Sequence, residues 1–177
     1  MDVRVMSRKR SAGAVERTDE KSQGPEGFVI RSVGIVGAGQ MGNGIAHVVA
    51  LAGYDVAIND LSQERVEKAL KNIERNMTRQ VARGLIKDED MQKALARITY
   101  APAFKDFGQT DLVVEAATED EDVKRKIFTA LCPSLKPDAI LASNTSSISI
   151  TRLASTTDRP ERFIGMHFMN QIGRAHV

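Results

Sequence analysis

Residues 33–42 read Val33-Gly34-Ile35-Val36-Gly37-Ala38-Gly39-Gln40-Met41-Gly42, and every wider reading of the chain starts from them. The first four form a short β-rich run of the kind that makes a buried strand. The last six spell G-x-G-x-x-G and lead into Asn43-Gly44-Ile45-Ala46-His47-Val48-Val49-Ala50, which reads as a helix with small residues along one side. Gly53 follows where a helix C-cap is expected. A glycine triplet by itself is weak evidence. Here it follows a strand, opens a helix, and is followed about 20 positions on by the acidic Asp60, which is the context a dinucleotide-binding turn requires. Gly37 permits a tight turn, Gly39 lets the backbone approach a pyrophosphate, and Gly42 lets the helix pack closely on the strand. The helix N-terminus adds unpaired N–H groups and partial positive charge. Gly37, Ala38, Gly39, Gln40, Met41 and Gly42 are therefore the expected phosphate cradle.

Asp60 closes a second apolar run, Val56-Ala57-Ile58-Asn59. At the end of that strand its carboxylate would accept hydrogen bonds from the adenosine ribose hydroxyls and repel a 2′-phosphate. No arginine adjoins it in the sequence, the nearest following one being Arg65. NAD rather than NADP is the expected cofactor.

Further along, Ser62 stands at the start of a long helical pattern, with Glu64 in the first turn where the macrodipole favours an anion. Val66, Leu70, Ile73, Met77 and Val81 recur at three- and four-residue steps as its apolar face, Arg75, Arg79 and Arg83 lie opposite, and Gly84 ends it. A short helix around 89–95, a strand over 97–100, a strand over 111–115, a charged helix from Asp122 to about Leu131, and strands over 139–142 and 163–168 complete the pattern. Alternating strands and helices imply parallel pairing through right-handed crossovers, hence an α/β, doubly wound parallel sheet of the Rossmann type.

Composition narrows the function classes. A chain of 177 residues with 42% hydrophobic content suits one globular domain. Its net charge of +2 gives no argument for nucleic acid or an anionic membrane. No apolar run approaches the roughly 18 residues of a membrane span. The single cysteine, Cys132, excludes an intramolecular disulfide and reads as an inert core thiol in a reducing cytoplasm. Residues 1–28 mix charge, Gly, Ser and Pro without a period, and Arg8-Lys9-Arg10 reads as part of a solvated tail. They are expected to be a disordered or mis-started extension, with the dinucleotide-binding domain over 29–170. No metal site is expected.

Four strings, GIVGAGQMGNGIAHVVALAGYDV, LVVEAATEDEDVK, SNTSSISIT and RFIGMHFMN, stand in an order and at a spacing that resemble the 3-hydroxyacyl-CoA dehydrogenases, most of all the bacterial 3-hydroxybutyryl-CoA type. The resemblance covers Val33 to Asn170. It implies that His167 is a general base taking the proton of a 3-hydroxyl, a role that suits imidazole because its unperturbed pKa of about 6.5 lies near working pH. By itself, a histidine between Met166 and Phe168 reads as a core residue. Ser146 matches the family's serine that bonds the substrate oxygen, and Asn170 an asparagine lining the nicotinamide pocket. Glu119 and Lys124 match residues near the nicotinamide ribose, both expected at the carboxyl end of a strand, although a solvated charge pair gives the same pattern. Asn144 and Thr145 read equally well as a helix cap. Arg83 falls near where the family receives coenzyme A phosphates, and a solvated helix face explains it as well. His47 reads as packing.

The resemblance further implies an acyl-CoA substrate, a homodimer or higher homo-oligomer, and a helical C-terminal domain that the sequence after Asn170 does not supply. The family continues there with a proline-rich segment and a glutamate that orients the histidine. Here Gln171-Ile172-Gly173-Arg174-Ala175-His176-Val177 stands instead, and IGRAHV reads as translated sequencing adapter, so 171–177 is expected to be a non-native tail. The chain as written is expected to bind NAD weakly and to turn over little. Two competing functions remain at this point: a dehydrogenase of another 3-hydroxy acid, and a non-catalytic dinucleotide-binding module.

Overall fold

The computed structural model describes residues 29–169. The expectations for 1–28, for Asn170 and for 171–177 lie outside those residues.

A parallel sheet forms the middle of the molecule, with strand order β3-β2-β1-β4-β5-β6. The strands are β1 (Ser32–Val36), β2 (Asp55–Asn59), β3 (Ile98–Tyr100), β4 (Leu112–Glu115), β5 (Ile140–Ser143) and β6 (Phe163–Gly165). All five neighbouring pairs run parallel. The strands read as continuous apolar runs because both faces of the sheet are covered. In β4, Leu112 and Val114 join one core and Val113 joins the other, as period-two alternation requires.

The first core lies under α1 (Gln40–Leu51), α2 (Gln63–Ala82) and α3 (Asp88–Ala96), and includes Ile35, Ile45, Ile58, Val66, Ile73 and Met77. The second lies under α4 (Glu121–Leu131) and α5 (Ile150–Ala154), where Phe128 meets Phe163 edge-on at 4.8 Å between ring centroids. Because β1 feeds α1 and β4 neighbours β1 on its other side, strand order reverses between β1 and β4. A crevice opens there at the carboxyl ends of the strands, which is where open α/β sheets receive ligands.

The expected elements are all present, and the structure differs from expectation in three informative ways. Ser62 is the N-cap residue of α2, but its side chain makes no capping bond. Strand β6 stops at Gly165, short of Phe168, because the Phe168 N–H is taken by the Asn144 side chain at 2.7 Å. The short α5 was not anticipated. Its N-cap is Ser149, whose hydroxyl accepts from the Arg152 N–H, so the capping role left open for Asn144 and Thr145 belongs to neither. Cys132 is buried, and burial pushes its thiol up, consistent with an inert core group.

Candidate cofactor and active site

The glycine turn is built by close approach. Gly37 has φ 104°, and a Cβ on it would lie 2.6 Å from Ala117 Cα, so both conformation and space exclude a side chain. Its N–H donates to the Asn59 carbonyl at 2.8 Å, tying the end of β1 to the end of β2. A Cβ on Gly42 would fall 1.7 Å from the Gly37 carbonyl oxygen, so α1 can sit on the turn only while position 42 carries none. Gly39 differs: nothing lies within 4 Å of its imagined Cβ. It is also the N-cap of α1, with no side chain to satisfy the first-turn N–H groups. Space and unmet donors coincide there. A pyrophosphate fits this cradle, being an anion that accepts from backbone N–H groups at a helix start.

Asp60, just beyond β2, faces the same turn. Its Oδ2 accepts from the Ala38 N–H at 2.7 Å and its Oδ1 from the Leu61 N–H at 2.7 Å. The carboxylate is thus held rigid, and each oxygen keeps a lone pair for a ribose hydroxyl. Ala38 therefore serves the site by anchoring Asp60. Arg65, in the first turn of α2, is separated from Asp60 in sequence but not in space: its guanidinium Nη1 lies 3.5 Å from Asp60 Oδ1. Turn, Asp60 and the inner face of α2 enclose a cleft of about 660 Å³, lined on the helix side by Arg65, Lys68, Asn72 and Arg75.

At the other side of the crevice the ends of β4, β5 and β6 are laced together. Glu119 lies in the loop after β4, and its Oε2 accepts from the Thr145 hydroxyl at 2.8 Å. Asn144 Oδ1 accepts from the Phe168 N–H, and the Met166 N–H donates to the Ser143 carbonyl at 3.0 Å. These two bonds fix the backbone on either side of His167, whose ring is exposed. Ser146, two residues past Asn144, is exposed as well. Glu119, Ser146 and His167 are therefore all carried by the carboxyl ends of adjacent strands. Asn144 and Thr145 have a part that sequence reasoning left open: they brace the segments that carry Ser146, Glu119 and His167.

Lys124 lies elsewhere. It is in the second turn of α4, with its side chain fully buried, and its ammonium donates to Glu115 Oε2 at 2.5 Å. The Ser143 hydroxyl donates to the same oxygen at 2.9 Å, while Glu115 Oε1 accepts from the Ala117 N–H at 2.8 Å. Since Ala117 is the residue against which Gly37 packs, this buried ion pair supports the back of the glycine turn. Glu115 and Ser143 were not singled out from the sequence. A signal existed: Lys124, Phe128 and Leu131 share the buried face of α4, and a lysine on an apolar helix face needs a buried partner.

His47 is buried on α1, with Nε2 3.0 Å from Gln80 Oε1. Burial holds its pKa down, opposed by the Gln80 bond. It packs α1 against α2. Among the described residues, no group of three or more His, Cys, Asp or Glu side chains is placed to hold a metal ion.

Fold and site define a class: a Rossmann-type domain with a glycine turn followed by an acidic residue, an arrangement suited to a dinucleotide. Residues 32–176 match the family model for the NAD binding domain of 3-hydroxyacyl-CoA dehydrogenase. The chain is 58% identical over 144 residues to a 3-hydroxybutyryl-CoA dehydrogenase of Bradyrhizobium diazoefficiens, covering 81% of this chain and 49% of that protein. The crystal structure of (S)-3-hydroxybutyryl-CoA dehydrogenase from Ralstonia eutropha is similar at 46% identity and a TM-score of 0.78, over 80% of this chain and 50% of that one. The 3-hydroxybutyryl-CoA dehydrogenase of Escherichia coli superposes with a TM-score of 0.79 at 36% identity, over 81% of this chain and 30% of that one. The chain belongs to the NAD-binding domain family of the 3-hydroxyacyl-CoA dehydrogenases. It spans about half the length of the curated relatives it matches.

Proposed function

We propose that this chain is the cofactor-binding part of a dehydrogenase that oxidises a (3S)-3-hydroxyacyl-CoA, 3-hydroxybutyryl-CoA in particular, to the 3-oxoacyl-CoA. One observation carries the reading: the phosphate cradle with Asp60 and the braced His167 segment lie at the carboxyl ends of the same sheet, on the two sides of its switch point.

The positions described above support the following roles. The first turn of α1, Gly39 to Gly42, holds the pyrophosphate of NAD, and Asp60 holds the adenosine ribose. Bound NAD supplies a hydride acceptor. His167 takes the proton from the 3-hydroxyl as the C3 hydride leaves, which lowers the barrier because the oxygen need not carry an alkoxide charge. The exposed Ser146 donates a hydrogen bond to the same oxygen. Glu119, oriented by Thr145, and Asn170 line the nicotinamide end. Lys124 acts through Glu115, as a positioning residue for the glycine turn. The acyl-CoA is the partner proposed for the site, the assembly a homodimer or higher homo-oligomer, and the compartment the cytoplasm, where a lone buried thiol stays reduced. No helix among the described residues is long and apolar enough to cross a membrane.

Joining residues 29–170 to the C-terminal half of the Bradyrhizobium relative tests this. NADH oxidation with acetoacetyl-CoA should appear in the joined enzyme. H167Q should lower kcat by about 10²–10⁴-fold with NADH affinity unchanged, the usual size of a general-base effect. A joined enzyme that keeps its rate without the imidazole contradicts the assignment.

A further inference from the structure

Cofactor choice in this cleft is set against a basic wall. Arg65, Lys68, Asn72 and Arg75 follow one another along α2 at positions that share a helix face, and all four line the cleft that Asp60 enters. The cleft therefore holds three cations and one carboxylate. The Asp60 side chain is 8% exposed and pinned by two backbone N–H groups, whereas the Arg65 side chain is 65% exposed, on a long stem free to swing. A ribose seated on Asp60 would put its 2′-oxygen beside the guanidinium that pairs with that carboxylate.

We propose that Arg65, supported by Lys68, is a latent binding site for the 2′-phosphate of NADP, kept engaged by Asp60, so that the cleft's preference for the unphosphorylated dinucleotide rests on one carboxylate. A guanidinium suits this task because it presents paired N–H donors to a phosphate and stays charged at any working pH. While Asp60 is ionised, a 2′-phosphate meets a fixed negative charge and a cation already shared. With that charge removed, the phosphate meets Arg65 and Lys68 alone. The inference rests on the dinucleotide reading above.

Binding rather than turnover tests it, on the chain itself. Titrations of NADH and NADPH, and of 5′-AMP against adenosine 2′,5′-bisphosphate, compare the wild type with D60N, R65A and D60N/R65A. The side-chain amide that D60N introduces keeps an acceptor for the Ala38 N–H. D60N should gain at least tenfold in NADPH and bisphosphate affinity while losing affinity for NADH, and the double variant should return at least fivefold of that gain. R65A alters an exposed residue and leaves the fold in place. It should raise the ratio of the NADPH to the NADH dissociation constant at least threefold. A D60N gain that survives R65A, no gain at all, or an unchanged ratio in R65A overturns the proposal. A wild-type chain that binds neither dinucleotide sinks the cofactor reading itself, and the proposal with it.

Discussion

At the scale of single residues, the glycines of one motif do different jobs, and the structure separates them. Gly42 is needed for packing, since a methyl group there would collide with the Gly37 carbonyl. G42A should cost about 2–3 kcal/mol in urea-unfolding free energy, the upper part of the range for overpacking. Gly39 has open space where a Cβ would stand, so packing does not require glycine there and only the proposed pyrophosphate contact would. G39A should lose no more than about 1 kcal/mol, the difference between glycine and alanine at an N-cap, yet weaken NADH binding at least tenfold. Equal losses of stability in the two variants would contradict this division. Buried Lys124 makes a different kind of prediction. K124M leaves the Glu115 carboxylate buried without its partner and should destabilise by about 3–5 kcal/mol. Adding E115Q should recover much of that, because an uncharged pair costs less to bury, and chemical denaturation of the single and double variants reads out the recovery.

At the scale of elements, the junction of β1, β4 and the loop after α4 is held by one carboxylate. Asp111 Oδ2 accepts from the Arg31 and Ser32 N–H groups at 2.7 and 2.9 Å and from the Ser32 hydroxyl at 3.0 Å, while the Lys136 ammonium meets Oδ1 at 2.5 Å. Burial pushes this carboxyl up, and the Lys136 ammonium with the Arg31 and Ser32 donors outweighs it, leaving the pKa lowered to about 2. A carboxyl depressed on folding contributes stability above its unfolded pKa and loses it as pH falls through the folded one. The contribution of about 2 kcal/mol, by linkage from that shift, is present above pH ~4 and fades toward pH ~2. D111N should therefore be less stable than the wild type near neutrality, and the gap should close on acidification in parallel urea melts. A gap independent of pH would show that the carboxylate's charge is not what holds the junction.

How far these elements could be read in advance follows from the same chemistry. β1, β2, β4 and β5 were legible because each is an apolar run covered on both faces, and α2 because its apolar residues recur at helical spacing over its full length. The glycine turn was legible because Gly37 and Gly42 are constrained by local geometry. α5 was not, being a five-residue helix too short to show a period. Arg65 beside Asp60 and Glu115 beneath Lys124 were hidden for another reason. Both contacts join a helix to the end of the strand before it, so they exist only once that helix has packed back on the sheet. The end of β6 was overestimated because a side chain, Asn144, competes for the Phe168 N–H, which no strand propensity reports.

At the scale of the whole molecule, the sheet does two things. It places the glycine turn at the end of β1 and the His167 segment at the end of β6, and it leaves a crevice between them where the strand order reverses. The family, the strand order and the cradle all point to a dinucleotide lying across that crevice, with its pyrophosphate on the first turn of α1. The most direct measurement is an amide chemical-shift titration of the chain with NADH. Saturable shifts should appear at Gly39, Gln40, Met41, Gly42 and Leu61, whose backbone groups form or adjoin the cradle, while Lys105 and Asp106, in the segment between β3 and β4, stay unmoved. No saturable shift at Gly39 to Gly42, or shifts confined to another face, would contradict the account.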